Sequence, residues 1–430
     1  MFAEPAVPGP GPYGPLDGRL PDANGLVLPE GFTSRVIARS GAPVGSSEYV
    51  WPPAPDGQAT FPTDDGGWIL VTNSEWLAGS LLAAFGFDAA LGAGVSAVRF
   101  SAAGDIVDAY RILADTNINC AGGPTPWGTW LSGEEYDLVD ETAPPLPGLP
   151  FGAGAAGQLW ECDPTGATPG VPLPALGVFS HEAAAVDPFD NRVYMTEDQG
   201  DGLLYRFTPT PTGNNRGRAA GRPPRGQRPD LSRGLLEVAR VEQPDVVLGR
   251  SSKVRWLPVP DPSSDPVPTR RQVPDATVFR RGEGMWFDSG TVYFTTTADD
   301  RVWAYDTTSS RIEVVYDLAT TPNPPLEDPD NVTVHASSGD VFVAEDDGTL
   351  QLVLITAPNG PGPREAAPFM RFTPVPGVPH AGTEVTGPCF DPSGTRLYVS
   401  SQRGILTSTF PSPQAGITYE ITGPFRTARR

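Results

Sequence analysis

Short apolar runs separated by turns rich in Gly, Pro, Asn and Asp recur along most of this sequence. The clearest copy is EGMWFDSGTVYFTTTADDRVWAYDTTSSRIEVVYD (283–317), in which a strand, a turn, a second strand and acidic residues precede two further strands. We count about six such units of roughly 40–60 residues, each predicting three or four antiparallel strands. The pattern predicts an all-β, six-bladed β-propeller. A sandwich or another solenoid is the alternative, but it does not explain the regular return of strand, turn, strand and acid.

We therefore treat residues 1–430 as a single propeller domain with two irregular segments. Residues 1–30 are rich in Pro and Gly and are predicted to lie over the surface. Residues 209–272 break the repeat and are predicted to be a solvated insertion between blades. A lid that covers a substrate or binds an anion is the alternative, because this segment carries an Arg cluster: Arg216, Arg218, Arg222, Arg225, Arg228 and Arg233. Residues 77–98 are apolar but interrupted by Gly and Asp, which favours a surface helix or loop over a membrane span.

The amino-acid composition limits the ligands that the protein can bind and the mechanisms that it can use. The formal net charge of −21 makes nucleic acid an unsuitable ligand, and an anionic substrate would need positive charge supplied locally. Lys253 is the only lysine, so a P-loop or Schiff-base mechanism has no candidate elsewhere in the chain. No G-x-S-x-G or HExxH motif occurs. We expect a monomer that acts on a small molecule.

The three cysteines, Cys120, Cys162 and Cys389, have no CxxC spacing and do not suggest a disulfide framework. The N-terminal sequence MFAEPAVPGPGPYGP lacks a basic region followed by an apolar one, so no signal peptide is visible. The sequence leaves the localisation open.

Acidic residues return at corresponding positions of the units. Following the second strand of a unit are Glu75, Glu134, Glu135, Glu197, Asp198, Asp299, Asp300, Glu345 and Asp346, with Gln402 in the last unit. At the start of the first strand are Glu182, Glu283, Asp330, Asn331 and Glu384. Side chains at the ends of innermost strands gather at one mouth of a propeller, so several of these should converge. Converging buried carboxylates repel unless cations neutralise them, which predicts a metal site in the central channel. For any single acid, a solvated turn is the alternative.

The segment NINCAGGPTPWGTWLSGEEY (117–136) adds a thiol to these oxygens. Carboxylates alone favour Ca²⁺ or Mg²⁺, whereas a thiolate at Cys120 indicates a transition metal as well. A buried cysteine that serves only as a small hydrophobic residue is the alternative. Arg281 lies two residues before Glu283, so on an extended strand both side chains would point the same way. It would then either grip an oxyanion or form a simple ion pair.

The segment NCAGGPTPWGTWLSGEE resembles the hallmark segment of the PhoX-type alkaline phosphatases. The similarity continues through FPTDDGGWILVTNSE, SHEAAAVDPFDNRVYMTED, RRGEGMWFDSGTVYFTTT and EVTGPCFDPSGTRLYVSSQ, and covers most of residues 30–405. The resemblance implies a six-bladed propeller with Fe³⁺ and Ca²⁺ in its channel that hydrolyses phosphate monoesters. Metals would clamp the phosphate oxygens and neutralise the charge of the transition state.

The resemblance also implies roles for individual residues. Cys120 would ligate iron, Glu135 and Glu283 would be metal ligands, and Arg281 would contact the substrate phosphate. The further metal ligands would be Glu182 and Glu384. The remaining candidate ligands, from the repeat pattern, are Glu134, Glu197, Asp330, Asn331 and Glu345.

The chain departs from the family pattern in three places. Gly133 stands where the family usually has a second cysteine, which we interpret as a non-ligand. Residues 76–91 replace a short Gly-rich connection and could reshape access to the channel. The twin-arginine export signal that most members carry is not visible. Two other functions stay open on the residues alone: a calcium-dependent propeller lactonase or esterase, which has no use for Cys120, and a non-catalytic binding module.

Overall fold

The structure is a computed structural model that describes residues 5–84, 88–136, 157–210, 228–357, 364–375, 378, 380, 382–403 and 416–427. It is almost entirely β. The first strands are β1 (Ala6–Pro8), β2 (Leu26–Val27), β3 (Thr33–Arg39), β4 (Pro55–Pro62), β5 (Trp68–Ser74), β6 (Gly94–Phe100), β7 (Ile106–Ala114), β8 (Asn119–Pro124), β9 (Trp130–Glu134), β10 (Leu159–Cys162) and β11 (Val171–Pro172). They are followed by β12 (His181–Val186), β13 (Val193–Glu197), β14 (Leu204–Pro209), β15 (Gly234–Val241), β16 (Ser251–Pro258), β17 (Gly282–Asp288), β18 (Thr291–Thr296), β19 (Arg301–Asp306) and β20 (Arg311–Asp317). The last are β21 (Pro329–Val334), β22 (Val341–Glu345), β23 (Gln351–Ile355), β24 (Arg364–Phe372), β25 (Val385–Phe390), β26 (Arg396–Ser401) and β27 (Ile417–Thr422).

Helix is confined to α1 (Gly79–Ala84) and to short 3₁₀ turns at Ala89–Leu91, Pro174–Leu176, Thr269–Arg271 and Leu318–Thr320 within the described residues. In that part of the chain, no helix combines the length and the apolar character needed to cross a membrane.

The strands form antiparallel sheets in a propeller-like arrangement. Three sheets have four strands, in the orders β4-β5-β6-β7, β8-β9-β10-β11 and β25-β26-β27-β3. A nine-stranded sheet runs β12-β13-β14-β15-β16-β20-β19-β18-β17, and the remaining sheet is built on β21-β22-β23-β24. Strand β3 pairs with β27, so the beginning of the chain completes the last sheet.

Six strands that we call the inner strands, β4, β8, β12, β17, β21 and β25, surround one axis. Each contacts the next along the chain, and β25 returns to contact β4. Among the described residues, six apolar clusters lie between successive sheets, such as the one joining Leu131 and Leu159 to Met195 and Tyr205. The hydrophobic core is therefore distributed around the axis rather than placed on it.

Each inner strand has a β-bulge near its beginning. The register with its neighbour shifts between Pro55 and Gln58 in β4, and the same happens in the other five inner strands after their first or second residue. The bulged pairs are Asp56–Gly57, Cys120–Ala121, Glu182–Ala183, Glu283–Gly284, Asp330–Asn331 and Gly387–Pro388. A bulge bends a strand and turns a side chain out of the sheet, which here repeats around one axis.

The second residue of four of these bulges is Gly or Ala, because the inner strands approach closely. A Cβ atom at Gly57 would lie 2.5 Å from Cα of Ala121, and one at Gly284 would lie 2.6 Å from Cα of Asn331. Larger side chains at these two positions would push the inner strands apart. This close packing of the inner strands lies next to the carboxylates of the bulges.

Three predicted segments differ from the structure. Described residues of 209–272 form β15 and β16, which extend the sheet of β12–β14, because alternate residues such as Leu236 and Val238 are buried against the core. Arg228 pairs with Glu161, and Arg233 pairs with Asp230. The other arginines of that cluster, Arg216, Arg218, Arg222 and Arg225, lie outside the described residues.

The N-terminal segment is integrated into the fold rather than laid over it. Strands β1 and β2 both pair with β24, and Leu26 and Val27 are buried. The apolar segment after β5, predicted to be a surface helix or loop, forms α1, but Leu81 and Leu82 are buried. Its apolar character therefore reflects core packing.

Candidate metal centre

The bulges of five inner strands and the ends of two second strands bring seven potential ligands together. Asp56, Cys120, Glu182, Glu283 and Asp330 each occupy the first bulge position of an inner strand. Glu75 and Glu135 directly follow the ends of β5 and β9. Residues as far apart in the chain as Asp56 and Asp330, which are 274 positions apart, are thereby placed around one end of the axis.

These residues form three clusters, in each of which one ligand atom per residue lies within 4.8 Å of the others. The first cluster is Asp56, Glu75 and Cys120; the second is Cys120, Glu135 and Glu182; the third is Glu182, Glu283 and Asp330. Cys120 belongs to the first and second clusters, and Glu182 to the second and third. The clusters therefore form a continuous row with two shared ligands.

Burial and mutual repulsion raise the pKa of most of these groups. Burial, followed by the charge of Glu75, raises the pKa of Asp56 to about 8. Burial is also the main reason that the pKa values of Glu135, Glu182, Glu283 and Asp330 lie well above their usual range, with neighbouring carboxylates adding to it. The bare protein therefore opposes the charged state of its own site, which bound cations would favour.

Two carboxylates at the site have oxygens that no described residue satisfies. Glu182 is fully buried, and neither of its oxygens has a hydrogen-bond partner. Asp56 has one such oxygen, Oδ1. Buried carboxylate oxygens normally have donors, so these oxygens have the character expected of metal ligands. The donor set fits cations: oxygens alone in the third cluster, and oxygens with sulfur in the first two.

Cys120 is held in place by a polar network beneath the site. The buried Asn73 donates through its amide to the carbonyl oxygens of Cys120 and Ala121, at 3.2 and 2.8 Å, and accepts from Trp130 and Ser132. The Cys120 thiol lies 3.3 Å from Oδ2 of Asp56. Burial and the nearby carboxylates raise the pKa of this thiol, so a bound metal would be needed to keep it as a thiolate.

Two arginines stand at the edge of the row. Arg281 binds Asp198 through two N···O contacts of 2.9 Å and approaches Oε1 of Glu283 at 3.3 Å. Arg403 reaches both Glu75 and Glu384 at 2.9 Å. Their side chains are 45% and 37% exposed, so both arginines are partly accessible from solvent.

The predicted proximity of Arg281 and Glu283 is confirmed, but not for the predicted reason. Arg281 precedes β17 and has a φ of 52°, so it is not part of an extended strand. Its left-handed backbone turns the side chain so that it spans from Asp198, on the neighbouring second strand, to Glu283.

Three candidate ligands are engaged elsewhere by protein donors and are absent from the clusters. Glu134 accepts from the amides of Asn117 and Gln158. Glu197 accepts from the Tyr205 hydroxyl and pairs with the buried Arg270 at 3.2 Å. Glu345 accepts from two backbone amides and from Thr349.

Two further candidates lie beside the clusters. The Asn331 amide donates to Asp330 and its oxygen accepts from the Gly387 amide, which makes it a support for Asp330. Glu384 lies at the end of the row near Glu75, where both are held by Arg403.

Sequence reasoning did not select Asp56, Asn73 or Arg403. Asp56 stands before Gly57 at the beginning of β4, the same position that Glu182 and Glu283 occupy in their strands. The signal was therefore present, but the predicted strand began only at residue 59, after the Pro-rich segment 52–55.

Residues 92–404 match the family model described as alkaline phosphatase PhoX. The solved structure of Pseudomonas fluorescens PhoX in complex with vanadate, a transition-state analogue, aligns over 94% of this chain and 97% of that chain, with 20% identity and a TM-score of 0.69. A gluconolactonase from Xanthomonas campestris aligns over 99% of both chains with 14% identity and a TM-score of 0.41. Regucalcin, a calcium-binding protein from Agrobacterium tumefaciens, aligns over 93% of this chain and 98% of that chain, with 16% identity and a TM-score of 0.41. No curated protein sequence matches.

Proposed function

The chain belongs to the PhoX alkaline phosphatase family, and on that premise we propose that it hydrolyses phosphate monoesters with metal ions held by the three clusters. It is a phosphatase by family; the substrate class, the metals and the residue roles are what we add. The observation that carries the proposal is the row of clusters with its two shared ligands. Separate ion pairs or solvated turns would not produce such a row.

The ligand atoms of each cluster, sulfur with oxygen or oxygen alone, decide which metal we assign to it. We assign Fe³⁺ to the first two clusters, with Cys120 as the ligand common to both, because a thiolate favours a transition metal. We assign Ca²⁺ to the third cluster, whose ligands Glu182, Glu283 and Asp330 offer oxygen alone. When bound, such metals supply Lewis-acid stabilisation of phosphate charge and a deprotonated oxygen nucleophile at the working pH.

Arg281 is the residue that we assign to the substrate. Its planar guanidinium can bind two phosphate oxygens at once, and its partial exposure leaves one edge accessible. Asp198 fixes the orientation of that group through its two contacts. The protein's net charge of −21 makes this local positive charge, together with the cations, a requirement for binding a dianion.

We also propose that the propeller has six blades. The support is the number of inner strands, each of which begins a separate antiparallel run, with the nine-stranded sheet counted as two blades joined by the β16–β20 pairing. The whole chain would then be one domain with one channel, and we expect it to act as a monomer.

The substitution Cys120→Ser tests the function. We expect loss of iron and at least about a 100-fold decrease in p-nitrophenyl phosphate turnover, because a hydroxyl does not replace a thiolate as a ligand. Metal content is measured by elemental analysis of protein purified without chelator.

The matched control is Cys389→Ser, in a fully buried cysteine packed between two sheets. It should retain iron and turnover although it also places a hydroxyl in the core. Wild-type turnover in the Cys120→Ser variant would contradict the proposal. Calcium without iron in the wild-type protein would favour a propeller lactonase, which has no use for Cys120, and the absence of both metals would favour a binding module.

A further inference from the structure

We propose that Arg403 is a second substrate-binding arginine, which contacts the phosphoryl group from the side of the channel mouth opposite Arg281. This inference rests on the proposed phosphatase function of the same site. It concerns a residue at the end of β26, in the last sheet, whereas Arg281 precedes β17.

The two arginines bracket the row of clusters. Arg281 approaches Glu283, a member of the third cluster, and Arg403 approaches Glu75, a member of the first. Asp346 lies close enough to both guanidinium groups to interact with each of them electrostatically. Each arginine therefore contacts a different end of the row, and both lie within electrostatic range of one carboxylate.

The partners of the two arginines differ in one respect. Arg281 has Asp198, a bidentate partner that belongs to none of the three clusters. Arg403 instead binds Glu75, which is in the first cluster, and Glu384, beside it. Cations in the site would withdraw charge from Glu75 and from Glu283, but Arg281 would keep its two contacts with Asp198, which is in none of the clusters.

The two arginines therefore differ in how readily they can leave their carboxylate partners and bind an anion. With the cations bound, Arg403 loses part of the attraction that holds it against the carboxylates, and its partly exposed guanidinium can turn to an incoming anion. Neighbouring groups support such a role: the Gln402 amide donates to Asp56 and Glu75 at 2.6 and 2.7 Å, so these acids keep a hydrogen-bond donor when Arg403 moves. A dianionic phosphoryl group between two arginines would receive charge-assisted hydrogen bonds from both sides.

The test measures binding of inorganic phosphate to the metal-loaded protein by titration calorimetry, with KM and kcat for p-nitrophenyl phosphate as a second readout. We expect Arg403→Ala to weaken phosphate binding and to raise KM by about 10-fold or more, since charge-assisted hydrogen bonds are lost. Arg403→Lys should recover part of the loss, because it keeps the charge but not the planar fork. Iron and calcium contents should equal those of the wild type.

Arg228→Ala is the matched control. Arg228 is also a half-exposed arginine bound to a buried glutamate, Glu161. Glu161 accepts hydrogen bonds from Trp127 and Thr129, in the turn between β8 and β9, whereas Glu135 follows the opposite end of β9. The Arg228→Ala variant should leave phosphate binding unchanged.

Phosphate affinity within about twofold of the wild type in Arg403→Ala would overturn the inference, as would a parallel loss of metal, which would make Arg403 a support for the ligands. A wild-type protein that binds phosphate without hydrolysing the ester would overturn the proposed function alone, because the binding measurement still decides the role of Arg403.

Discussion

Glu182 and Glu197 are both fully buried glutamates near the same end of the axis, yet they differ in the hydrogen bonds that they accept. Glu197 receives the Tyr205 hydroxyl, the Leu203 amide and the buried Arg270. Glu182 receives no hydrogen bond from any described residue. Burial of an acid therefore does not by itself distinguish a candidate ligand, and the missing hydrogen-bond donors distinguish Glu182 from Glu197.

The position in the sheet explains the difference. Glu182 is in the bulge of an inner strand, where the side chain turns towards the axis. Glu197 ends the second strand, opposite His181, and its side chain packs against the outer strands of its own sheet. Glu134 and Glu345 end the second strands of their sheets in the same way, opposite Asn119 and Pro329.

The largest expected effect comes from neutralising the glutamate without donors. Glu182→Gln should decrease kcat/KM by at least about 100-fold and lower the metal content, because it removes the ligand shared by the second and third clusters. In the presence of chelator, the same variant should be more stable than the wild type, because it removes an unpaired buried carboxylate. Elemental analysis, turnover and urea unfolding measure these outcomes. A variant with normal metal content would remove the distinction between Glu182 and Glu197.

The opposite result is expected for the glutamate with donors. Glu197→Gln should decrease the free energy of unfolding by about 3 kcal/mol, because it removes the charge of a fully buried carboxylate that pairs with the fully buried side chain of Arg270. Metal content and turnover per folded molecule should stay close to those of the wild type.

The matched control for this variant is Asp201→Asn, which removes the more exposed partner of the same arginine. It should decrease stability by less than about 1 kcal/mol. Loss of metal in Glu197→Gln, with stability retained, would place Glu197 with the ligands.

A smaller effect, visible in its pH dependence, is expected at Glu345. Burial raises the pKa of Glu345 to about 7, so the folded protein keeps this proton where the unfolded chain has released it. The stability contributed by that proton is fully present below about pH 4.5 and is lost as the pH rises through 7. Relative to Glu345→Gln in chelator, the wild type should lose up to about 3 kcal/mol of unfolding free energy over this range. Unfolding curves with the same pH dependence in both proteins would contradict this.

Much of the site could be predicted because strands alternate. The repeat of strand, turn, strand and acid predicted Glu135, Glu182, Glu283 and Asp330, the segment 117–136 added Cys120, and the family resemblance implied roles for Cys120, Glu135, Glu182 and Glu283. Alternation could also have separated the two acids that follow a second strand: Glu134 faces protein donors, and Glu135 faces the clusters. The same order applies to Glu197 and Asp198, the latter bound to Arg281.

Other features could not be predicted from the sequence, because they depend on contacts between distant parts of the chain. Arg281 reaches its partners through a left-handed backbone that a strand pattern does not predict. The Pro-rich segment before Asp56 concealed the start of β4, and β15 and β16 were concealed by their Arg- and Pro-rich surroundings. In each case tertiary packing decided the local structure.

The pairing of β3 with β27 has a consequence for how the catalytic machinery comes into being. The hydrogen bond between Gln402 and Asp56 joins residues 346 positions apart, and it can form only when the first and last sheets have met. The first cluster takes its own residues from β4, β8 and the end of β5, but the hydrogen bond that the last sheet donates to Asp56 depends on that closure. A chain cut short before β27 would lack the β27–β3 pairing that brings Gln402 to Asp56, so we expect it to bind metal less tightly than the whole chain.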